Sequence, residues 1–309
     1  MASTPNDAAM PTSITDIPHK SDLVRLGVGI LGIGSSGPLI ALSAMPIPTL
    51  IFWRNLGGAL VTAPFALKHS LDRKGVRWSI LAGIALALHF IGFFAAMRMT
   101  SVAAGTALVA LQPIFAAIFI KVIGGDIPVK AWLGMGLSFT GVLLISGIDL
   151  SLDRRSFIGD IAAIISAALA ALYMLLGSKA QATLETTSYT SICYFTCATT
   201  ALPIALIAGY QLLNFPAREW WILLGLIAGA QILGHSMFNS VLKRVSPAVV
   251  SLIVFFEVPV AALIAGVFEI GNRPSGAILP GIILILFGCT LVVLRTRPDR
   301  ATVKAMVNE

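Results

Sequence analysis

The sequence predicts an all-α integral membrane protein of ten transmembrane helices, built as two inverted five-helix repeats with both termini cytoplasmic. Three observations predict it. The chain has 309 residues, of which 57% are hydrophobic and 11% charged, with mean hydropathy +0.91. A soluble domain carries about 25% charged residues, because it must cover its surface with polar side chains. That imbalance excludes a cytosolic enzyme, a nucleic-acid binder and a disordered chain. The second observation is a series of ten apolar runs, each of about the 20 residues that a helix needs to cross the hydrocarbon core. The third is a self-similarity at a fixed offset of 146 residues.

The elements follow in order. Residues 1–22 are polar, hold Pro5, Pro11 and Pro18, and lack an apolar h-region, so they are expected to form a short disordered cytoplasmic tail and no signal peptide. The runs are 24–43, 47–67, 78–97, 101–121, 130–148, 157–177, 187–209, 219–240, 247–268 and 276–295. Residues 297–309 are expected to form a second cytoplasmic tail. None of the runs alternates with period 2, which argues against a β-barrel. The links are short and carry turn residues, as in Gly124-Gly125-Asp126 and Gly271-Asn272-Arg273-Pro274. Such links make consecutive helices antiparallel.

Charge orients the bundle. With the N-terminus inside, fifteen Lys and Arg residues face the cytoplasm and five (Arg98, Arg154, Arg155, Arg218 and Arg273) face outward; Arg54 falls within a run. This asymmetry satisfies the positive-inside rule and requires an even number of spans. The net charge of +7 is thus assigned to orientation, with no nucleic-acid partner. Cys193, Cys197 and Cys289 all lie in apolar runs and form neither a disulfide framework nor a zinc spacing.

At the offset of 146, residues 82–133 align without a gap on 228–279, with eleven identities among 52 pairs. They include Gly83/Gly229, His89/His235, Arg98/Arg244, Pro113/Pro259, Gly125/Gly271 and Pro128/Pro274. The copies therefore occupy 23–149 and 150–296, with five spans each. An odd number of spans per copy inverts the second copy, and inverted repeats are typical of secondary transporters.

The stretch Arg98-Met-Thr-Ser-Val-Ala-Ala-Gly, with Gln112-Pro113, Gly125-Asp126-Ile127-Pro128, Gly134 and Gly141, resembles one EamA unit of the drug/metabolite transporter superfamily. Ser246-Pro247, Glu257-Val258-Pro259, Gly271-Asn272-Arg273-Pro274 and Gly288 resemble the second. The family commonly has Gly-Glu where this chain has Gly125-Asp126 and Gly271-Asn272. The resemblance implies ten helices in two inverted halves and export of small metabolites across a bacterial inner membrane. Within the superfamily the chain is most similar to bacterial aromatic amino acid exporters.

Polar residues inside the runs are the candidate site. Glu257 is the one acidic residue at mid-span, where an uncompensated charge costs at least ~2.5 kcal/mol on insertion scales. Its readings are a proton carrier, a partner for a substrate ammonium, or a structural bond to another helix. His89 and His235 share an equivalent place, for substrate hydrogen bonding, proton relay or helix-to-helix bonding. Arg54 is a candidate partner for a substrate carboxylate, with snorkelling or bracing as the rival; EamA proteins often carry an arginine here, which favours bracing. Asn55, Gln112 and Asn239 are further candidate polar contacts, and Trp53, Phe93 and Tyr173 candidate walls of an amphipathic pocket. No third ligand accompanies the histidines, so no metal and no cofactor is expected.

Gly27-Val28-Gly29-Ile30-Leu31-Gly32 matches G-x-G-x-x-G but follows no strand, so helix packing is the better reading. Ser35-Ser36-Gly37-Pro38 can break the first helix mid-membrane and expose backbone to a cavity, with Ser36 as a contact. Pro38, Pro113 and Pro259 are candidate gating joints.

The expectation is an amino acid exporter working by alternating access, as a monomer or homodimer, with a small-molecule substrate and the bilayer as partners. Nucleotide-sugar carriage demands more buried cations than Arg54 alone. For a membrane enzyme no nucleophile–base set, metal box or P-loop appears. A carrier for another small metabolite or drug and a non-saturable channel remain the alternatives; a channel would need neither two conformations nor a closed midplane site, and saturable counterflow separates the two.

Overall fold

The computed structural model describes residues 19–100, 102–146, 153–245, 247–267 and 278–294. Among these residues all regular structure is helical. The helices are α1 (Lys20–Gly34), α2 (Ser36–Leu42), α3 (Ile47–Ala66), α4 (Arg73–Met99), α5 (Val102–Val109), α6 (Gln112–Val122), α7 (Val129–Ser146), α8 (Arg154–Gln181), α9 (Thr186–Ile207), α10 (Ala217–Gly225), α11 (Met237–Val241), α12 (Pro247–Leu252), α13 (Glu257–Val267) and α14 (Ile278–Leu294). A π-helical stretch, Leu226–Ser236, joins α10 to α11, and a 3-10 turn, Ile253–Phe256, joins α12 to α13. The expected tails and the Gly271-Asn272-Arg273-Pro274 link lie wholly or largely outside the described residues.

Among the described residues, seven stretches are long and apolar enough to cross a bilayer: Lys20–Leu42, Arg73–Met99, Ala104–Val122, Val129–Ser146, Arg154–Gln181, Thr186–Ile207 and Ala217–Val241. Val249–Ile264 and Leu279–Val292 are shorter apolar helices. The bundle turns large apolar side chains outward, among them Leu60, Phe65, Leu133, Ile165, Phe195 and Phe287. Water would penalise such a surface, whereas lipid tails solvate it.

Four of the expected runs are interrupted, each for a local reason. The first breaks at Ser35, whose hydroxyl donates to Gly32 O at 2.7 Å, and Pro38 one turn on has no N–H to donate. The fourth breaks just ahead of Pro113, which occupies the first turn of α6, where its missing N–H costs nothing. The ninth tightens into the 3-10 turn just ahead of the equivalent Pro259. The eighth widens into the π-helical stretch. Between α6 and α7 the chain turns at Gly124, whose φ of +89° suits glycine, and Gly125 N–H closes the turn on Ile120 O at 2.9 Å.

Aspartates cap two long helices. Asp72 accepts from Gly75 N (2.9 Å) at the start of α4 and from Thr183 Oγ1 (2.9 Å) beyond the end of α8. Those two bonds hold its carboxyl below the usual carboxylate range. Asp153 caps α8 and is held low by the Ser156 hydroxyl and by the Arg155 and Ser156 amides.

The helices pair in a pattern that respects the repeat. The α4–α8 pair and the pair of α1 with the π-helical stretch become each other when the halves are exchanged, while α3–α9 and α7–α14 map onto themselves. Close approach is made possible by glycine. A Cβ at Gly32 would meet Gly229 O at 2.6 Å and Gly234 N at 2.7 Å, and one at Gly134 would meet Gly288 O at 2.6 Å. Gly29 and Gly32 of the G-x-G-x-x-G run therefore serve helix contact, while Gly27 faces open space.

Candidate functional site

A buried cavity forms where the two halves meet. Its walls are Ile33 and Ser36 (α1–α2), His89, Phe90 and Phe93 (α4), Val109 and Gln112 (α5–α6), Ala170, Tyr173 and Met174 (α8), His235 (π-helical stretch), Val254 and Glu257 (α12–α13 junction). The helix interruptions supply it: Ser36 and Gln112 each open a new segment just after a break, and Glu257 opens α13. Its volume is about 30 Å³, room for roughly one water molecule. Small-molecule pockets are usually on the order of 300–1,000 Å³. The walls must therefore part before a metabolite can occupy it.

The equivalent histidines lie side by side, with ring centroids 6.5 Å apart and planes at 67°. Their surroundings differ. His89 is fastened to α8: its Nδ1 lies 3.0 Å from Ser166 O and 2.8 Å from Ser166 Oγ, and that hydroxyl donates to His89 O at 2.9 Å. The ring stacks on Phe93 (5.9 Å between centroids, 5° between planes). His235 sits edge-on to Phe90 (5.3 Å) and near Tyr173 (6.0 Å), and its buried Nδ1 has no hydrogen-bond partner. Helix-to-helix bonding thus describes His89, while His235 keeps a free polar atom.

Glu257 is 5% exposed, and no hydrogen bond or ion pair to its carboxyl is found among the described residues. The field of the nearby buried Arg54 reaches this carboxyl, but its hydrogen-bonding positions are not filled by the described residues, which leaves them open to a donor brought by a ligand.

Arg54 is fully buried beside this cavity. Its Nε donates to Gln231 Oε1 (2.8 Å), its Nη1 lies 3.4 Å from Ser36 Oγ, and its guanidinium stands 4.3 Å over the Phe90 ring. Gln231 Nε2 in turn donates to Asn55 Oδ1 (3.0 Å), and Asn55 Nδ2 to Ile51 O (2.8 Å). Three bracing contacts favour the structural role. Yet Nη2 is buried and unpartnered, which leaves one donor free.

Tyr173 O–H donates to Asn239 Oδ1 at 2.8 Å, and Asn239 also reaches Tyr194 OH at 3.5 Å. Gln112 Nε2 donates to Met174 Sδ (3.2 Å) and Ser251 Oγ (3.4 Å). The structure thus gathers Ser36, His89, Phe93, Gln112, Tyr173, His235 and Glu257 on one cavity, with Arg54, Asn55 and Asn239 one side chain behind it. Trp53 does not join them. Its Nε1 donates to Leu212 O (2.7 Å), and it packs edge-on against Trp220. Pro38, Pro113 and Pro259 stand at or beside the helix interruptions and line no part of the cavity.

Sequence reading missed Ser166, Met174 and Ser251. Ser166, one of three serines in the alanine-rich α8, carries no signal, since only its neighbour across the bundle gives it a role. It also missed the contacts that close the two ends. At one end Asp22 receives Arg244 Nη2 (2.5 Å) and Nε (3.2 Å), and Lys243 pairs with Glu185 (2.9 Å), which that contact holds below its usual range. At the other, buried Glu219 accepts from Ser43 Oγ (2.7 Å) and Ala44 N (2.9 Å).

Comparison with known proteins adds the following. The profile of the EamA-like transporter family matches residues 23–147 and again 157–294. A protein described as "Uncharacterized transporter YyaM" of Bacillus subtilis (strain 168) is 26% identical over 231 residues, 72% of this chain and 74% of that one. A protein of known crystal structure matches with a TM-score of 0.74 at 17% identity, covering 91% of this chain and 100% of that one, which shows a shared fold.

Proposed function

This chain belongs to the EamA-like transporter family, as a multi-pass integral membrane protein, and from that premise we propose that it exports amino acids, aromatic and other apolar ones foremost, by alternating access. The observation that carries the reading is the Glu257 carboxyl, which accepts no hydrogen bond from the described residues, in a cavity walled by Phe90, Phe93 and Tyr173 where the two halves meet. A carboxylate suits an ammonium, and aromatic walls suit an apolar side chain. The free Nη2 of Arg54, and His235 Nδ1 in its protonated tautomer, are donors within the same region for a carboxylate.

On this reading ten spans form two inverted units, 23–149 and 150–296, in a bacterial inner membrane with both termini cytoplasmic. Substrate enters from the cytoplasm when the Asp22–Arg244 end parts, and leaves when the Glu219–Ser43 end parts. The contraction of the cavity and the contacts at both ends support a closed intermediate between these two openings. Glu257, with His89 and His235 nearby, is the candidate for carrying a proton in exchange.

The test is counterflow in proteoliposomes loaded with labelled phenylalanine, with a panel of competing amino acids. Saturable exchange that aromatic and branched apolar amino acids compete for is the expected result. A linear, non-saturating flux would favour a channel, and competition confined to other metabolites would overturn the substrate assignment.

A further inference from the structure

Several basic residues at the Asp22–Arg244 end of the bundle are taken up by the protein itself. Arg25 and Arg244 meet Asp22, Lys243 pairs with Glu185, Lys68 stands over the Phe65 ring and Lys179 over the Trp78 ring. Arg73 and Arg77 are different. Both are exposed, and neither makes a hydrogen bond, ion pair or ring contact among the described residues. The adjoining acid, Asp72, is engaged elsewhere, by Gly75 N and Thr183 Oγ1.

The two arginines line one outward-facing groove of about 370 Å³ at the start of α4, together with Leu71, Val76, Ile80 and Leu81. Arg73, Val76, Arg77, Ile80 and Leu81 follow the spacing i, i+3, i+4, i+7, i+8, so they share one face of the helix. Ile84 and Leu88 continue that face beyond the groove, and Ile80, Leu81, Ile84 and Leu88 are all 38–44% exposed. From Arg77 to Leu88 the helix rises about 16 Å. The hydrocarbon of one leaflet is about 15 Å deep, half of the bilayer core. Two free cations thus stand at the head of an apolar track as long as one acyl layer.

We propose that this groove binds one anionic phospholipid, with its phosphate between Arg73 and Arg77 and an acyl chain laid along Ile80, Leu81, Ile84 and Leu88. The paired positive charge and the apolar length behind it complement the two parts of such a molecule. A zwitterionic lipid has the same chains but adds an ammonium that the arginines repel, so charge decides between the two. The other face of α4 carries His89, Phe90 and Phe93 of the cavity. The lipid therefore braces, from outside, a helix that builds the site.

The test uses the purified full-length chain in detergent, titrated with dioleoyl phosphatidylglycerol or dioleoyl phosphatidylcholine, read by melting temperature and by lipid adducts in native mass spectra. Phosphatidylglycerol is expected to raise Tm by about 2–4 °C more than phosphatidylcholine and to remain as a single adduct. The double variant Arg73→Gln/Arg77→Gln is expected to weaken phosphatidylglycerol binding at least ~10-fold while leaving phosphatidylcholine unchanged. Lys121→Gln/Lys130→Gln removes the same charge from two exposed lysines outside the groove and is expected to keep the preference. Ile80→Trp fills the apolar part of the groove and is expected to weaken phosphatidylglycerol binding although both arginines remain. Soluble glycerol 3-phosphate is expected to give no shift. Equal shifts from the two lipids in the wild type, a preference that survives the arginine pair or Ile80→Trp, an equal loss in the lysine pair, or a full shift from glycerol 3-phosphate would each overturn the proposal. Should Ile80→Trp fail to fold, the arginine and lysine pairs decide between them.

Discussion

Arg98 and Arg244, equivalent residues 146 positions apart, grip opposite ends of the first membrane helix pair. Arg98 Nη2 donates to Ser43 O (3.2 Å) and Met45 O (2.6 Å) just past α2, while Arg244 makes a two-nitrogen contact with Asp22 at the start of α1. Matched residues at opposite ends of one span are what an inverted duplication produces. Only the Arg244 contact is an ion pair, so the two ends are closed by different chemistry.

Arg244→Gln leaves the Asp22 carboxylate, 2% exposed, without its main donor. Since the arginine itself is about half exposed, the expected loss of stability is about 1–2 kcal/mol. Denaturant or thermal melts in detergent measure it. The exchanged pair Asp22→Arg/Arg244→Asp should recover part of the loss. No recovery would mean that the contact is incidental.

Glu257→Gln keeps the shape of the site and removes a formal charge. If Glu257 receives an ammonium, the half-saturating phenylalanine concentration should rise about 10-fold or more, which is about 1.4 kcal/mol of binding. If it also carries a proton, flux should lose its response to a pH gradient. Unchanged saturation and an unchanged gradient response in the variant would remove Glu257 from both roles.

The two histidines should behave differently despite their equivalence. His89→Ala strips Ser166 of a buried partner and should cost about 1–3 kcal/mol of stability. His235→Ala removes a ring whose Nδ1 has no hydrogen-bond partner among the described residues but which packs against Phe90 and Tyr173, so it should lower melting through lost packing alone while lowering transport, and His235→Gln, which keeps more of the volume, should recover part of the stability. Should both variants fold and transport like the wild type, the histidines have no part in the pathway.

Gly32→Ala and Gly27→Ala should have opposite signs. The first drives a methyl into the Gly229 and Gly234 backbone and should destabilise by about 1–3 kcal/mol. The second meets open space and should stabilise by about 0.5–1 kcal/mol through helix propensity.

Acid should loosen the caps. The carboxyl of Asp72 titrates below its ordinary value in the folded protein, so its contribution is fully present above about pH 4 and is lost as pH falls through the lowered folded value. Asp72→Asn retains a capping side chain but no titrating charge. Its melting temperature should therefore fall less than that of the wild type between pH 5 and 3. Parallel curves would show that the cap does not contribute to the acid response.

Much of the bundle was legible in the sequence because burial in lipid leaves few options. Runs of apolar residues without alternation can only be helices, and breaks at Pro113 and Pro259 follow from a missing N–H. The candidate site was legible for a related reason. Polar residues are so rare inside the runs that Arg54, His89, His235 and Glu257 announce themselves. Trp53 shows the limit. An aromatic residue in a span carries no sign of which way it faces, and its indole turns to Leu212 at the helix end instead of to the cavity. Ser166 and Ser251 illustrate the converse, since serines in apolar runs acquire meaning only from a partner 77 or more residues away.

The sequence by itself determined the helical membrane class, the duplication, and the short roll of polar groups placed in the apolar interior. Those follow from one-dimensional quantities: hydropathy, period and self-similarity. Only the tertiary structure decided which of these groups bond to one another and which stay free. Arg54 is braced by Gln231 while one nitrogen remains unpaired; His89 is tied to α8 while its counterpart His235 is not; Glu257 faces the cavity with no hydrogen bond from the described residues. The reason is geometric. Pairing depends on helix rotation and on the π-helical and 3-10 irregularities that set it, and packing between distant segments fixes both.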